Sequence, residues 1–180
     1  MSEVTAWATR YPGLFTPSKV DYADIEIVFS LDPVDEAAVS RLHLVAVTDD
    51  GRVLVCTSLE GWRFLPGGTR EPGETLTELA ARELIEEAGA TLRSELELIG
   101  AHVAVSRASE PYRPHLPHPR ALWAYAVCRA DVTGPPTSPA DGEQITDVSA
   151  LSVRDAVDYL AGEDQLMADV LQLTHELGLV

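Results

Sequence analysis

Between Gly68 and Ala90 the chain sets Glu83, Glu86 and Glu87 on about two turns of one predicted helix, and this cluster limits what the fold can be. The run from Thr75 to Ala88 has helical periodicity, and Gly89 is its expected stop. At about 100° per residue, Ala80, Ala81, Leu84, Ile85 and Ala88 share an apolar arc, and the three glutamates share the arc beside it. Glu83 faces Glu87 at i,i+4 and Glu86 at i,i+3. Each such like-charge pair costs about 0.2–0.5 kcal/mol even in water. The cost grows where a cleft limits screening, and the C-terminal half of a helix disfavours anions further. An acidic, solvated helix face accounts for part of this pattern. A hard divalent cation accounts for the clustering, because Mg²⁺ prefers carboxylate oxygens.

Composition narrows the partners. The 180 residues carry 29 acidic and 13 basic side chains, a formal net charge of −16. A surface so acidic repels duplex nucleic acid. A small phosphorylated molecule remains compatible with it where cations mediate the contact. Only Lys19 is lysine, and arginine forks onto phosphate better than lysine does. No apolar run approaches the ~18 residues of a membrane span. Met1 to Pro12 lacks a basic start followed by an apolar core, so no signal peptide is expected and the expected compartment is the cytoplasm. Cys56 and Cys128 sit in apolar runs and are expected to be buried free thiols.

Along the chain, residues 1–20 contain Pro12, Gly13 and Pro17 and read as an irregular extension. Ile25 to Phe29 is strand-like, and Pro33 to Ser40 suits a short helix. Arg41 to Thr48 and Arg52 to Thr57, joined through Asp50-Gly51, read as a β-hairpin. Trp62 to Leu65 is a short strand. Glu95 to Val105 is a strand interrupted at Gly100, and Ala121 to Arg129 is a buried one. Ser152 followed by Asp155 starts a helix, and Leu166, Val170, Leu173 and Leu177 keep helical spacing. Strands and helices interleave, so the class is α/β (α+β), with helices on a mixed sheet. Residues 1–40 read as an N-terminal extension and 41–180 as the main domain.

Gly68, Glu74, Arg82, Glu83, Leu84, Glu86, Glu87 and Gly89 match the pattern Gly-x5-Glu-x7-Arg-Glu-U-x-Glu-Glu-x-Gly, where U is bulky and apolar. At average residue usage, seven fixed residues at fixed spacing arise by chance at roughly one in 10⁸ per starting position. The segment resembles the signature of the Nudix hydrolases. Ala90 departs from the Ile, Leu or Val usual at its position, which touches packing after the helix and not the acidic residues. The resemblance implies an α/β/α sandwich around a mixed sheet and cleavage of a pyrophosphate inside a nucleoside diphosphate linked to another group, X. It implies that Glu83, Glu86, Glu87 and the Gly67 carbonyl hold Mg²⁺ or Mn²⁺. It also implies that Glu74 and Arg82 tie the loop of Gly68 to the helix.

A general base is still wanted. Glu143 lies in the loop after Pro135, Pro136, Pro139 and Gly142 and is a candidate base or extra ligand, with Asp141 its rival. The loop Ser106 to Arg120 is rich in positive groups for this chain: Arg107, Arg113, His115, His118 and Arg120, with Tyr112 as a stacking surface. These are the candidate substrate contacts; a proline-stiffened surface loop is the plainer reading. Two histidines with no cysteine or acid at ligand spacing make a poor zinc site. Trp62, Trp123 and Tyr125 are assigned to core or sheet packing.

Three substrate classes fit: a nucleoside triphosphate, ADP-ribose or a nucleotide sugar, and a dinucleoside polyphosphate. A non-catalytic Nudix-fold sensor is the alternative, although such proteins usually lose signature glutamates that this chain keeps. Residues 1–40 could swap across a homodimer or wrap their own domain.

Overall fold

The computed structural model describes residues 3–180; Met1 and Ser2, the start of the expected extension, lie outside them. Near the N-terminus, α1 (Glu3–Arg10) and α2 (Pro12–Phe15) replace the expected irregular segment. Pro12 falls in the first turn of α2, where its missing N–H costs nothing. Trp7, Leu14 and Phe15 pack into the core under the C-terminal helices, so this segment wraps its own domain.

Strands β1 (Ser18–Val20), β2 (Ile25–Ser30), β3 (Val39–Val47), β4 (Val53–Ser58), β8 (Glu97–Ser106), β9 (Arg120–Val132) and β10 (Ile145–Leu151) form one sheet in the order β1-β2-β8-β9-β3-β4-β10. Short strands β5 (Arg63–Phe64), β6 (Gly67–Thr69) and β7 (Ala90–Leu92) pair with β4, β3 and β9. Among these pairings β3 with β9 is parallel and the rest are antiparallel, which makes the sheet mixed as expected.

Alternation along the strands divides two cores. Val45, Val47, Tyr125, Val127 and Phe29 face α4 (Val153–Ala161) and α5 (Gln165–Glu176). Leu42, Leu44, Ala46, Ala124 and Ala126 face α3 (Leu76–Glu83). Helices therefore cover both sides of the sheet. Cys56 and Cys128 are buried free thiols.

The Asp50-Gly51 turn forms, but the hairpin splays. β3 meets β4 only at Val47 and Val53. The other end of β3 pairs Arg41, Leu42 and His43 with Thr69, Gly68 and Gly67 of β6, while β4 turns to β10. The wedge between β3 and β4 holds the glycine loop inside the sheet, directly before α3. Gly100 sits at a register shift between β8 and β9, where a Cβ would meet the Ser30 carbonyl.

Candidate active site

A capping box opens α3: the Thr75 hydroxyl accepts from the Glu78 amide, and the Glu78 carboxylate accepts from the Thr75 amide. Leu76, Leu79 and Ala80 bury one face. The helix then widens into a π-turn over Leu84–Ala88, closed by the Gly89 amide donating to the Leu84 carbonyl. Such wide turns are frequent at functional sites. This one carries Glu86 and Glu87.

Arg82 is the hub. Its Nε and Nη2 donate to the two oxygens of Glu74 at 2.8 and 3.1 Å, and Nη2 also reaches the Thr69 carbonyl at 3.1 Å. Its Nη1 donates to Glu83 at 2.7 Å and to Glu86 at 3.3 Å. Burial raises the Glu74 carboxyl, but the bonds from Arg82 and the Glu71 amide outweigh it and hold the group below its ordinary value. Glu74 and Arg82 thus bind the loop to the helix.

Glu83 and Glu87 are buried, only 5% and 7% exposed, whereas Glu86 is half-buried. The Gly67 amide donates to Glu87 Oε2 at 2.8 Å. Gly68 lies so close to Glu83 that a Cβ would run into its carboxylate. Burial pushes Glu87 up to about 8; the Gly67 bond opposes this, and the charges of Glu83 and Glu143 add to it. Burial also raises Glu83, against the pull of Arg82. Two buried carboxylates and a third beside them are short of positive charge. Among the described residues, no three acidic, histidine or cysteine side chains are gathered in ligand geometry, and Arg82 takes one oxygen each of Glu83 and Glu86. The donor set nonetheless suits a hard divalent cation: oxygen only, anionic and lodged against a glycine cradle.

The loop 133–144 docks on the π-turn. The Ser138 amide donates to the Glu86 carbonyl at 3.0 Å and the Thr137 amide to the Ile85 carbonyl at 3.3 Å. Glu143 and Asp141 are both exposed in this loop, and the charge of Glu143 is felt at Glu87.

On the opposite sheet face lies a cavity of about 530 Å³. Trp123, Ala104, Ala121, Arg41 and Thr69 are among the residues that line it, and the Thr69 carbonyl accepts from Arg82. Of the loop residues singled out in the sequence, Tyr112 and His118 line it. The others are placed elsewhere. Arg113 pairs with Glu71 at 2.7 Å, and His115 Nε2 bonds the Arg70 carbonyl at 2.7 Å, so both latch the loop to the segment between Gly68 and Glu74. Arg107 lies 3.8 Å from Glu26, and Arg120 is exposed at the start of β9. Trp62 is 64% exposed, not packed in the core. The two-residue strand after it is too short to carry the ring under the sheet.

Arg41 escaped the sequence reading. The available signal was a charged residue in a mostly apolar strand, two positions before His43 on the same face.

A Nudix-domain family model matches residues 39–173. A Nudix hydrolase of Nitrosomonas europaea superposes with a TM-score of 0.57 at 17% identity, over 78% of this chain and 90% of that one. The pyrophosphohydrolase BsRppH of Bacillus subtilis gives 0.57 at 15% identity, over 90% and 98%. The MutT protein of Methanosarcina mazei gives 0.52 at 17% identity, over 81% and 99%. At these identities the likeness carries the fold. A comparison with curated proteins finds no match.

Proposed function

This chain belongs to the Nudix family of hydrolases acting on phosphoric anhydrides, and we propose that it is a Mg²⁺-dependent pyrophosphohydrolase of a nucleoside diphosphate linked to another group. The observation that carries this reading is Glu87, a carboxylate buried against the Gly67 amide beside Glu83 and Glu86, with burial pushing it up to about 8. Such a group calls for a cation, and the 530 Å³ cavity lined by Arg41 and Thr69 has room for a nucleotide.

Glu83, Glu86, Glu87 and the Gly67 carbonyl would hold the ion. An Mg²⁺ or Mn²⁺ ion held there would neutralise phosphate oxygens and lower the pKa of a water. The protein's own groups do the rest. Arg82, fixed by both oxygens of Glu74, keeps the glutamates apart and in place. Glu143, on a loop pinned to the π-turn, takes the proton of the attacking water. The cavity holds one half of the substrate so that the pyrophosphate lies across the glutamates.

The supporting experiment is a panel of nucleoside triphosphates, ADP-ribose, nucleotide sugars and dinucleoside polyphosphates with Mg²⁺, products being identified by chromatography. We expect metal-dependent release of a nucleotide and a phosphate product. Glu86→Gln and Glu87→Gln should each lower kcat at least ~10²-fold. Full turnover in both variants, or none in the wild type on the whole panel, would overturn the assignment. Glu143→Gln at near wild-type kcat with saturating Mg²⁺ would remove Glu143 as the base.

A further inference from the structure

We propose that His43 and Met167 are positioning residues: from the face of the sheet opposite the glutamates, they hold Leu65-Pro66-Gly67 so that Gly67 stays against Glu87. The inference rests on the pyrophosphohydrolase reading and adds which side chains behind the sheet keep its proposed metal ligands in place.

Leu65-Pro66-Gly67 leads from β5 into β6, and each of its residues is bonded to a different element. The Leu65 amide donates to Met167 Sδ of α5 at 3.0 Å. The Pro66 carbonyl accepts from the Leu44 amide of β3 at 2.8 Å. The Gly67 amide donates to Glu87 Oε2 of the π-turn at 2.8 Å. Pro66 has no N–H to add a further tie. A thioether is a weak acceptor, yet without it the Leu65 amide would be buried and unpaired, which costs more than the bond gains. Met167 is itself fixed to receive that amide: it is buried, and its own N–H donates to Asp164 Oδ1 at 3.0 Å where α5 begins.

His43 backs the other end of the segment. It pairs with Gly67 in register, and alternation along β3 puts its ring on the face of Val45 and Val47. A Cβ on Gly67 would lie 2.7 Å from His43 Cα and 2.9 Å from its Nδ1, so the imidazole stands directly against the bare glycine. The ring is not free to retreat. It stacks on the buried Tyr125 ring with centres 5.5 Å apart and planes at 26°. Tyr125 Oη is bonded to His102 Nδ1 at 3.2 Å, and Phe29 packs on both rings at 6.0 and 5.2 Å. His43 Nδ1 is shielded and has no partner, so packing rather than a bond at that atom holds the ring. With a wall behind Gly67 and a tie at Leu65, the glycine cannot drift from Glu87. A displacement of roughly 1 Å at such a centre can cost ~10²-fold in rate.

The test reads amide exchange by NMR in EDTA and, separately, Mn²⁺ binding by electron paramagnetic resonance. The proteins are the wild type, His43→Ala, His43→Phe, Met167→Leu and Val45→Ala, the last a core truncation two positions along the same face of β3. We expect His43→Ala to speed exchange of the Gly67 amide at least ~10-fold relative to the amides of β9, and to weaken Mn²⁺ at least ~10-fold. His43→Phe restores a flat ring and should recover most of both. Met167→Leu keeps the volume and removes the sulfur; it should free the Leu65 amide and weaken Mn²⁺ about 3–10-fold. Val45→Ala should lower the thermal transition and leave Gly67 exchange, relative to β9, and Mn²⁺ affinity within about twofold of wild type. Unchanged Gly67 exchange in His43→Ala, or equal changes in His43→Ala and Val45→Ala, overturns the role of His43. An unchanged Leu65 amide in Met167→Leu overturns that of Met167. Should His43→Ala fail to fold, His43→Val takes its place under the same criteria. A wild type that binds no Mn²⁺ at about 5 mM, while Gly67 exchange follows the expected order, would sink the metal reading and leave the positioning standing.

Discussion

Glu87 shows how a single residue can be legible in sequence while its neighbour in space is not. The spacing of Glu83, Glu86 and Glu87 on a helix is enough to see the charge cluster, because i,i+3 and i,i+4 neighbours are fixed by helical geometry. Arg41 is 46 positions away from Glu87 in sequence, and only the pairing of β3 with β6 brings it near. The role of Gly68 is likewise spatial: its missing side chain makes room for the Glu83 carboxylate. Gly68→Ala should therefore lower kcat by about 10-fold or more, because a displacement of roughly 1 Å at a reacting centre can cost ~10²-fold. Steady-state kinetics against Mg²⁺ concentration check this; unchanged kcat at saturating metal would show that Glu83 can move aside freely.

At the scale of elements, the helix over Thr75 to Ala88 was readable from its Gly89 stop and apolar arc. Its π-turn was not, since a single i+5 turn barely alters a hydrophobic period over so few residues. The turn ends at Gly89, whose φ of 58° is left-handed and whose Cβ position is filled by the Gly134 carbonyl. The amides of Thr133 and Gly134 both donate to the Gly89 carbonyl, so this glycine joins the helix to the Glu143 loop. Gly89→Ala should cost more than the ~1 kcal/mol usual for alanine at a left-handed position, and about 2–4 kcal/mol once the clash is included. Urea unfolding measures it, and a loss below about 1 kcal/mol would mean the loop yields easily. The hairpin was foreseen at its turn and not in its splay, because β6 and β10 compete for the strands from far along the chain. The helix α1 was missed behind Pro12 and Gly13, which punctuate the segment without forbidding the helix before them.

Across the whole molecule, the layer between β8, β9 and β3 holds two shielded imidazoles, His102 buried and His43 half-buried with its Nδ1 out of reach of solvent. Burial lowers His43 to about 3, with the charge of Arg41 assisting, and lowers His102 to about 4. Their ordinary value is about 6.5. Because the folded values are depressed, the folded state binds fewer protons than the unfolded state below pH 6.5. Their contribution to stability is complete above about pH 6.5 and is lost as pH falls toward 3–4, by up to about 1.4 kcal/mol per pH unit for each. Glu87 works oppositely in the metal-free protein. Its raised value makes stability fall as pH rises from about 4.5 toward 8. Unfolding free energies between pH 7 and 4.5 should thus show a shallow slope in the wild type, a flatter or reversed one in His102→Gln, and a steeper one in Glu87→Gln. Identical slopes in all three proteins would contradict the burial of these groups as ionisable partners of the fold.

Local chemistry sufficed for the acidic helix, its glycine stop, the glycine loop, several of the strands and the free thiols, because each depends on residues a few positions apart. The signature glutamates also indicated the kind of bond attacked. The tertiary structure alone decided which basic residues are free to meet a substrate. Arg113 and His115 looked available in their loop and are bonded to Glu71 and the Arg70 carbonyl. Arg41 looked like an ordinary strand residue; it lines a cavity with its guanidinium over the Trp123 ring and its Nε unpaired. Hydrogen-bond satisfaction is settled by what folding brings within about 3 Å, and those neighbours come from distant segments whose pairing no local pattern records.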